Sequence, residues 1–269
     1  MPKVVLITGG SLGIGKAIGE YLHSCGYIVY GTSRNPGKYK NDVSFSLLKL
    51  EVTDPSSIEA AILEIIHSEG KIDVLVNNAG IGITGPIEET PIEEIRNAFE
   101  TNFYGPLEVI RNVLPYMRKQ RSGHIINITS IAGYMGLPYR GIYSATKGAL
   151  EIITEAYRME TKQFGIHMIN VAPGDFATNI AAGRYNVPVL ENSPYKNAYE
   201  ATLVMMNEHV DAGSDTRQMA LAVRKIIETP HPKIHYRVGA FIQKFSVVLK
   251  RVLPDKMYER MLMNHYKLK

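Results

Sequence analysis

The chain has one cysteine, Cys25, in 269 residues. That excludes an intrachain disulfide and fits a reducing compartment. Long apolar runs are missing too. None approaches the roughly 20 residues that a spanning helix needs, and the run at 4–7 is too short for a signal-peptide core. A cytoplasmic location is therefore expected. The eight histidines show no metal spacing. His231 and His235 are four apart, but Pro230 and Pro232 disrupt a helix there, so no metal is expected. No Ser/His/Asp order suggests hydrolysis. Acidic residues are scarce over 231–269, where nine Lys/Arg face only Asp255 and Glu259, a net of +7 that leaves −3 on residues 1–230 of the overall +4. That asymmetry argues against nucleic-acid binding by the main body.

What is present reads as one large α/β domain. Apolar residues make up 45% and charged residues 21%, as in soluble globular proteins. Strand-like runs at 4–7, 28–31, 44–48, 74–76, 124–128, 167–171 and 235–238 alternate with helical patterns at 14–24, 55–68, 91–119, 143–163 and 215–228. That alternation predicts parallel βαβ units. Thr53-Asp54-Pro55 reads as a helix start. Segment 175–212, with weak periodicity and with Gly183, Pro188 and Pro194, reads as an irregular insertion beyond a strand's carboxyl end. A substrate lid would lie there.

Two motifs carry the chemistry. Thr8-Gly9-Gly10-Ser11-Leu12-Gly13-Ile14-Gly15 follows the first strand and puts Gly9, Gly13 and Gly15 where a buried strand turns into a helix. There a backbone can approach a pyrophosphate at a helix N-terminus. Tyr143-Ser144-Ala145-Thr146-Lys147 sets a phenol and an ammonium four apart on one helix face. Asn77-Asn78-Ala79-Gly80 and Ser130 lie between them.

In this order the motifs resemble the short-chain dehydrogenase/reductase family, in its single-domain branch, over about residues 3–239. The resemblance implies a doubly wound, mostly parallel seven-stranded Rossmann sheet with helices on both faces. It also implies a catalytic domain at 1–239, with 240–269 a helical extension of that domain. Ser11, Leu12 and Ile14 would join the three glycines in cradling the dinucleotide. Asn77, Ala79 and Gly80 would lie beside the adenosine ribose, and Pro173, Gly174 and Thr178 would hold the carboxamide. Glu51, followed by Val52, matches the family's adenine-contacting aspartate. Ser33 stands where NAD-preferring relatives carry Asp, and Arg34 follows it, so NADP(H) is the expected cofactor. The family implies Tyr143 as acid/base and Lys147 as ribose ligand, with Ser130 bonding the substrate oxygen and Asn102 holding a water next to Lys147. A cation one turn away should also draw the Tyr143 pKa down.

The expected activity interconverts an alcohol with a ketone or aldehyde, and a homodimer or homotetramer is the expected assembly. The alternatives are a 3-oxoacyl-thioester reductase and a non-catalytic NADP-binding sensor. In the tail, Phe241, Phe245, Val248, Leu249 and Val252 recur at helical spacing among Lys244, Lys250 and Arg251, and Pro254 starts a second helix. The expectation is that this stripe packs on the chain's own fold near 175–212 and narrows the pocket. Contact with an anionic membrane is the less favoured reading. The extension leans the substrate towards a bulky apolar alcohol or ketone, as in the hydroxysteroid and retinol dehydrogenase-like branch.

Overall fold

The computed structural model describes residues 1–176, 183–211 and 213–268. Seven strands form one sheet: β1 Val4–Ile7, β2 Ile28–Ser33, β3 Ser46–Lys49, β4 Val74–Asn77, β5 Gly123–Ile128, β6 Ile166–Pro173 and β7 His235–Val238. They lie in the order β3-β2-β1-β4-β5-β6-β7, and every pair is parallel. The expected doubly wound sheet is thus present, and fully parallel.

The period of two along β1 explains why both faces are covered. Val4 and Leu6 join one apolar cluster with Ile58 and Ile62 of α2 (Pro55–Glu69) and Val109 and Val113 of α4 (Gly105–Gln120). Val5 and Ile7 join the other, with Ile18 and Leu22 of α1 (Gly13–Ser24) and Val223 and Ile227 of α7 (Arg217–Glu228). Strand order reverses between β1 and β4, so the crevice beyond their carboxyl ends is where a ligand binds in such sheets. The α2 start is as expected: Asp54 accepts from the Ser56 amide at 3.0 Å, and Pro55 opens the helix.

Three regions differ from expectation. The continuous helical pattern at 91–119 is broken into α3 (Ile92–Phe99), a π-helical turn at Glu100–Tyr104, and α4. The described part of 175–212 is more regular than its sequence suggests. Ile83–Thr84 pairs with Tyr185–Asn186, and α6 spans Lys196–Asp211.

The tail does form two helices, α8 (Phe241–Val252) and α9 (Asp255–His265). Yet the face that packs is not the one expected. Val247 and Tyr258 are buried with Ile131, Met135 and Ala172, and Leu249, Leu253, Met261 and Leu262 close around them. Phe241, Phe245, Val248 and Val252 are exposed. The tail therefore sits on the turn after β5 and the end of β6. It joins 175–212 through Gln243, which donates to Asp175 at 2.6 Å and accepts from its amide at 3.1 Å.

Candidate active site

The turn after β1 is held open from within. The buried Thr8 hydroxyl accepts from the Asn78 and Ala79 amides, each at 3.0 Å, while the Asn78 side chain donates to the Thr8 and Gly9 carbonyls. Gly13 is left-handed at φ 53°. A Cβ on Gly15 would stand 2.3 Å from the Gly9 carbonyl oxygen and 2.4 Å from the Asn78 amide nitrogen, so only glycine fits. Leu12 precedes α1 without a side-chain cap, and the first turn holds no acid. The free N–H groups and positive helix end therefore face the cleft, as a pyrophosphate requires.

That cleft has a volume of about 550 Å³. Gly9, Ser11, Leu12, Gly13 and Ile14 of the turn line it together with Ala79, Gly80, Tyr143, Lys147 and Pro173. Gly15 shapes the turn from behind. Asn77 does not line the cleft: it is buried, and its amide donates to Asn127 Oδ1 at 2.9 Å. As the last residue of β4 it faces the core, and its neighbour Asn78 lines the cleft instead. Gly174 borders a smaller adjoining chamber rather than the cleft. Thr178 lies outside the described residues.

Ser33 and Arg34, at the end of β2, line the same cleft as Glu51 and Val52. Arg34 is 82% exposed and touches Glu51 through Nε at 3.5 Å. An exposed pair of this kind holds neither partner firmly. Lys38, which no motif singles out, lines this cleft as well, so two cations border it. Its four-residue spacing from Arg34 was the available signal.

Ser130 follows β5, and Tyr143 and Lys147 lie one turn apart on α5 (Gly141–Thr161). All three are buried. Burial raises the Tyr143 pKa, and the Arg140 charge and the Ser130 hydrogen bond only offset part of this. The expected lowering by Lys147 is therefore not what this arrangement gives. Lys147 instead donates to the Ile128 carbonyl at 3.0 Å, and burial brings it down to about 8 although Glu151 pulls the other way. Asn102 sits in the π-helical turn, fully buried and lining neither chamber. Its Oδ1 accepts from the Ile81 amide at 2.8 Å, and its Nδ2 donates to the Ile81 carbonyl at 2.9 Å and to Thr146 at 3.2 Å. A Cβ on Gly80 would stand 3.1 Å from Asn102 Oδ1 and 3.4 Å from Lys147 Nζ, so Gly80 lies close to both. Tyr143 borders both the cleft and the smaller chamber, whereas Ser130 borders the smaller one, with Arg140, Asp175, Phe176 and Arg184 in its wall.

One helical turn beyond Lys147, the buried Glu151 accepts from Thr129 and from Tyr134 at 3.1 Å and meets His235 Nδ1 at 2.9 Å. His235 Nε2 meets Glu155 at 3.0 Å. Only the imidazolium donates to both carboxylates, and the Glu151 hydrogen bond raises the His235 pKa. A raised histidine adds stability that is complete below its ordinary value near 6.5 and fades as pH passes the folded value. His235→Asn is therefore expected to cost about 1–3 kcal/mol at pH 6 and distinctly less at pH 9. Urea melts at both values check this, and an equal loss at both would rule out the charge as the source.

Comparison with known proteins gives a consistent result. A family model described as short chain dehydrogenase matches residues 3–186. The chain is 39% identical over its full length, and over 99% of the relative, to a 3-ketodihydrosphingosine reductase of Bacteroides thetaiotaomicron. A short-chain dehydrogenase of Streptomyces avermitilis superposes with a TM-score of 0.85 at 30% identity, covering 99% of this chain and 97% of that one. ElxO, solved with NADP bound, gives 0.69 at 29% identity, covering 87% and 96%.

Proposed function

Because the chain belongs to the short-chain dehydrogenase family and is an oxidoreductase of that kind, we propose that it is an NADP(H)-dependent reductase of a ketone on a bulky, long-chain substrate. The observation that carries this reading is the convergence of Ser130, Tyr143 and Lys147 where the cleft meets the smaller chamber. When bound, the dinucleotide supplies the hydride. Ser130 donates to the substrate oxygen and polarises the carbonyl. Tyr143, protonated at neutral pH because burial raises its pKa, gives its proton to the oxygen as negative charge develops. Lys147, cationic below about pH 8, holds the ribose and favours the phenolate left behind. Asn102 acts at a distance, fixing the Ile81 backbone beside Gly80 and so the floor next to Lys147.

The Bacteroides relative supports a long-chain amino ketone as substrate. Asp175 in the chamber wall suits a neighbouring ammonium, and Phe176 and Met206 suit an alkyl chain. Arg140 and Arg184 in the same wall favour a second reading, a 3-oxoacyl thioester with its anionic carrier. A sensor without turnover would not need the retained Tyr143 and Lys147. Segment 175–212 is proposed to cover the substrate, and a cytoplasmic homodimer or homotetramer is the proposed form. Ile152 and Met159, two turns apart on α5, lie exposed as a face for such an assembly.

Purified protein is expected to oxidise NADPH with 3-ketodihydrosphingosine, at least about tenfold faster in kcat/KM than with a short ketone or a 3-oxoacyl thioester. Faster turnover of the thioester would establish the second reading, and no turnover of any carbonyl would leave the sensor.

A further inference from the structure

On α8, Phe241, Phe245, Val248 and Val252 follow one another at steps of four, three and four, and so form a single stripe along the helix. They are 76%, 43%, 41% and 73% exposed, and Ile242 beside them is 77% exposed. The Phe241 and Phe245 rings stack on each other at 5.7 Å, with no other ring against them among the described residues. This is not the helix's packing face, because Val247, Leu249 and Leu253 already fill that role. A contiguous apolar stripe of this size in water marks a contact surface.

The charges beside the stripe indicate what it touches. Lys244 and Arg251 flank it, and α8 contains no acidic residue. Among the described residues no carboxylate pairs with either cation, whereas Lys250 is paired with Asp255 at 3.1 Å. Pairing two copies of this face would bring like charges together with no carboxylate on the helix to offset them. An anionic surface satisfies both the stripe and its flanks. Among the described residues no helix is long and apolar enough to cross a membrane. The twelve residues of α8 would span about 18 Å, well short of a bilayer core. They suit a helix lying in the interface instead.

We propose that α8 is a peripheral docking helix that seats the enzyme on an anionic phospholipid bilayer. Phe241, Ile242, Phe245, Val248 and Val252 enter the acyl boundary, and Lys244 and Arg251 meet the headgroups. The helix is also linked to the reaction chamber. Gln243, between Ile242 and Lys244, bonds both the side chain and the amide of Asp175 in the chamber wall. A docked helix therefore holds the bilayer surface close to the wall of the reaction chamber.

The chain contains no tryptophan, so Phe245→Trp introduces a lone reporter. With vesicles of phosphatidylcholine carrying about 30% phosphatidylglycerol, its emission is expected to shift to the blue and the full-length protein to float with the vesicles. Raising salt from roughly 0.1 to 0.5 M should release it. Phe241→Ser with Ile242→Ser, and separately Lys244→Glu with Arg251→Glu, should each lower partitioning at least about tenfold while NADPH binding and thermal melting stay as in the parent. None of these readouts needs turnover, so they stand apart from the choice of substrate. No flotation with anionic vesicles overturns the proposal. So does equal, salt-independent flotation with pure phosphatidylcholine. If vesicles are ignored and the serine variant halves the mass in sedimentation, the face belongs to a second copy and the proposal is wrong.

Discussion

Tyr143→Phe is expected to lower kcat by about 10²–10⁴-fold while NADPH affinity stays nearly unchanged. The substitution removes one hydroxyl and nothing else. The ring stays packed beneath the Arg140 guanidinium, 5.5 Å from its centroid. Lys147→Ala should behave differently, weakening both turnover and binding, because that ammonium lines the cleft itself. Fluorescence titration with NADPH beside steady-state rates separates the two variants. Substantial turnover in Tyr143→Phe would place the proton donor elsewhere and remove the mechanism.

The wild-type protein is expected to bind NADPH about 10–100-fold more tightly than NADH, and Ser33→Asp with Arg34→Ala to reverse that order. Each charge-assisted contact to the 2′-phosphate is worth about 1.5–3 kcal/mol. The ion pair with Glu51 does not compete seriously. Arg34 is mostly in water and touches Glu51 through Nε, so the outer fork can still turn to a phosphate. Lys38, which lines the same cleft, should limit the size of that reversal, and a further Lys38→Ala should enlarge it. Dissociation constants for both dinucleotides test this, and equal affinities in the parent protein would sink the assignment.

Much of this architecture was legible as pattern. All seven strands fall within a few residues of their strand-like runs, and the inner ones were plainest because a strand buried on both faces needs a continuous apolar segment. The glycine turn and the Tyr143–Lys147 pair were legible because close backbone approach and one-turn spacing restrict residue choice. Helix α6 was not, since its buried positions include Tyr199, Thr202 and Met206. The period is there, but a hydroxyl-bearing pair disguises it. The π-helical turn at Glu100–Tyr104 holds no breaker itself, and the Gly105-Pro106 pair that opens α4 is the only local mark of the interruption. In α8 amphipathicity was visible, but two apolar faces compete, and only the fold decides that Val247 docks while Phe241 does not. Asn77 and Asn78 illustrate the finest limit. At a strand's end one position separates the core from the cleft.

The position of β1 also bears on how the chain is made. It lies inside the sheet, between β2 and β4, yet the segments it joins are synthesised far apart. Its partner β2 begins at Ile28, whereas β4 begins only at Val74. At about 5–20 residues per second, the ribosome needs roughly 3–13 s to reach β4 after finishing β1. Throughout that interval the apolar run Val4–Ile7 has an open hydrogen-bonding edge and lacks most of the cover it will acquire from later helices. Nascent chains paused before residue 74 should therefore be the form that most engages chaperones, and codon choice over this stretch becomes a lever on the yield of soluble enzyme.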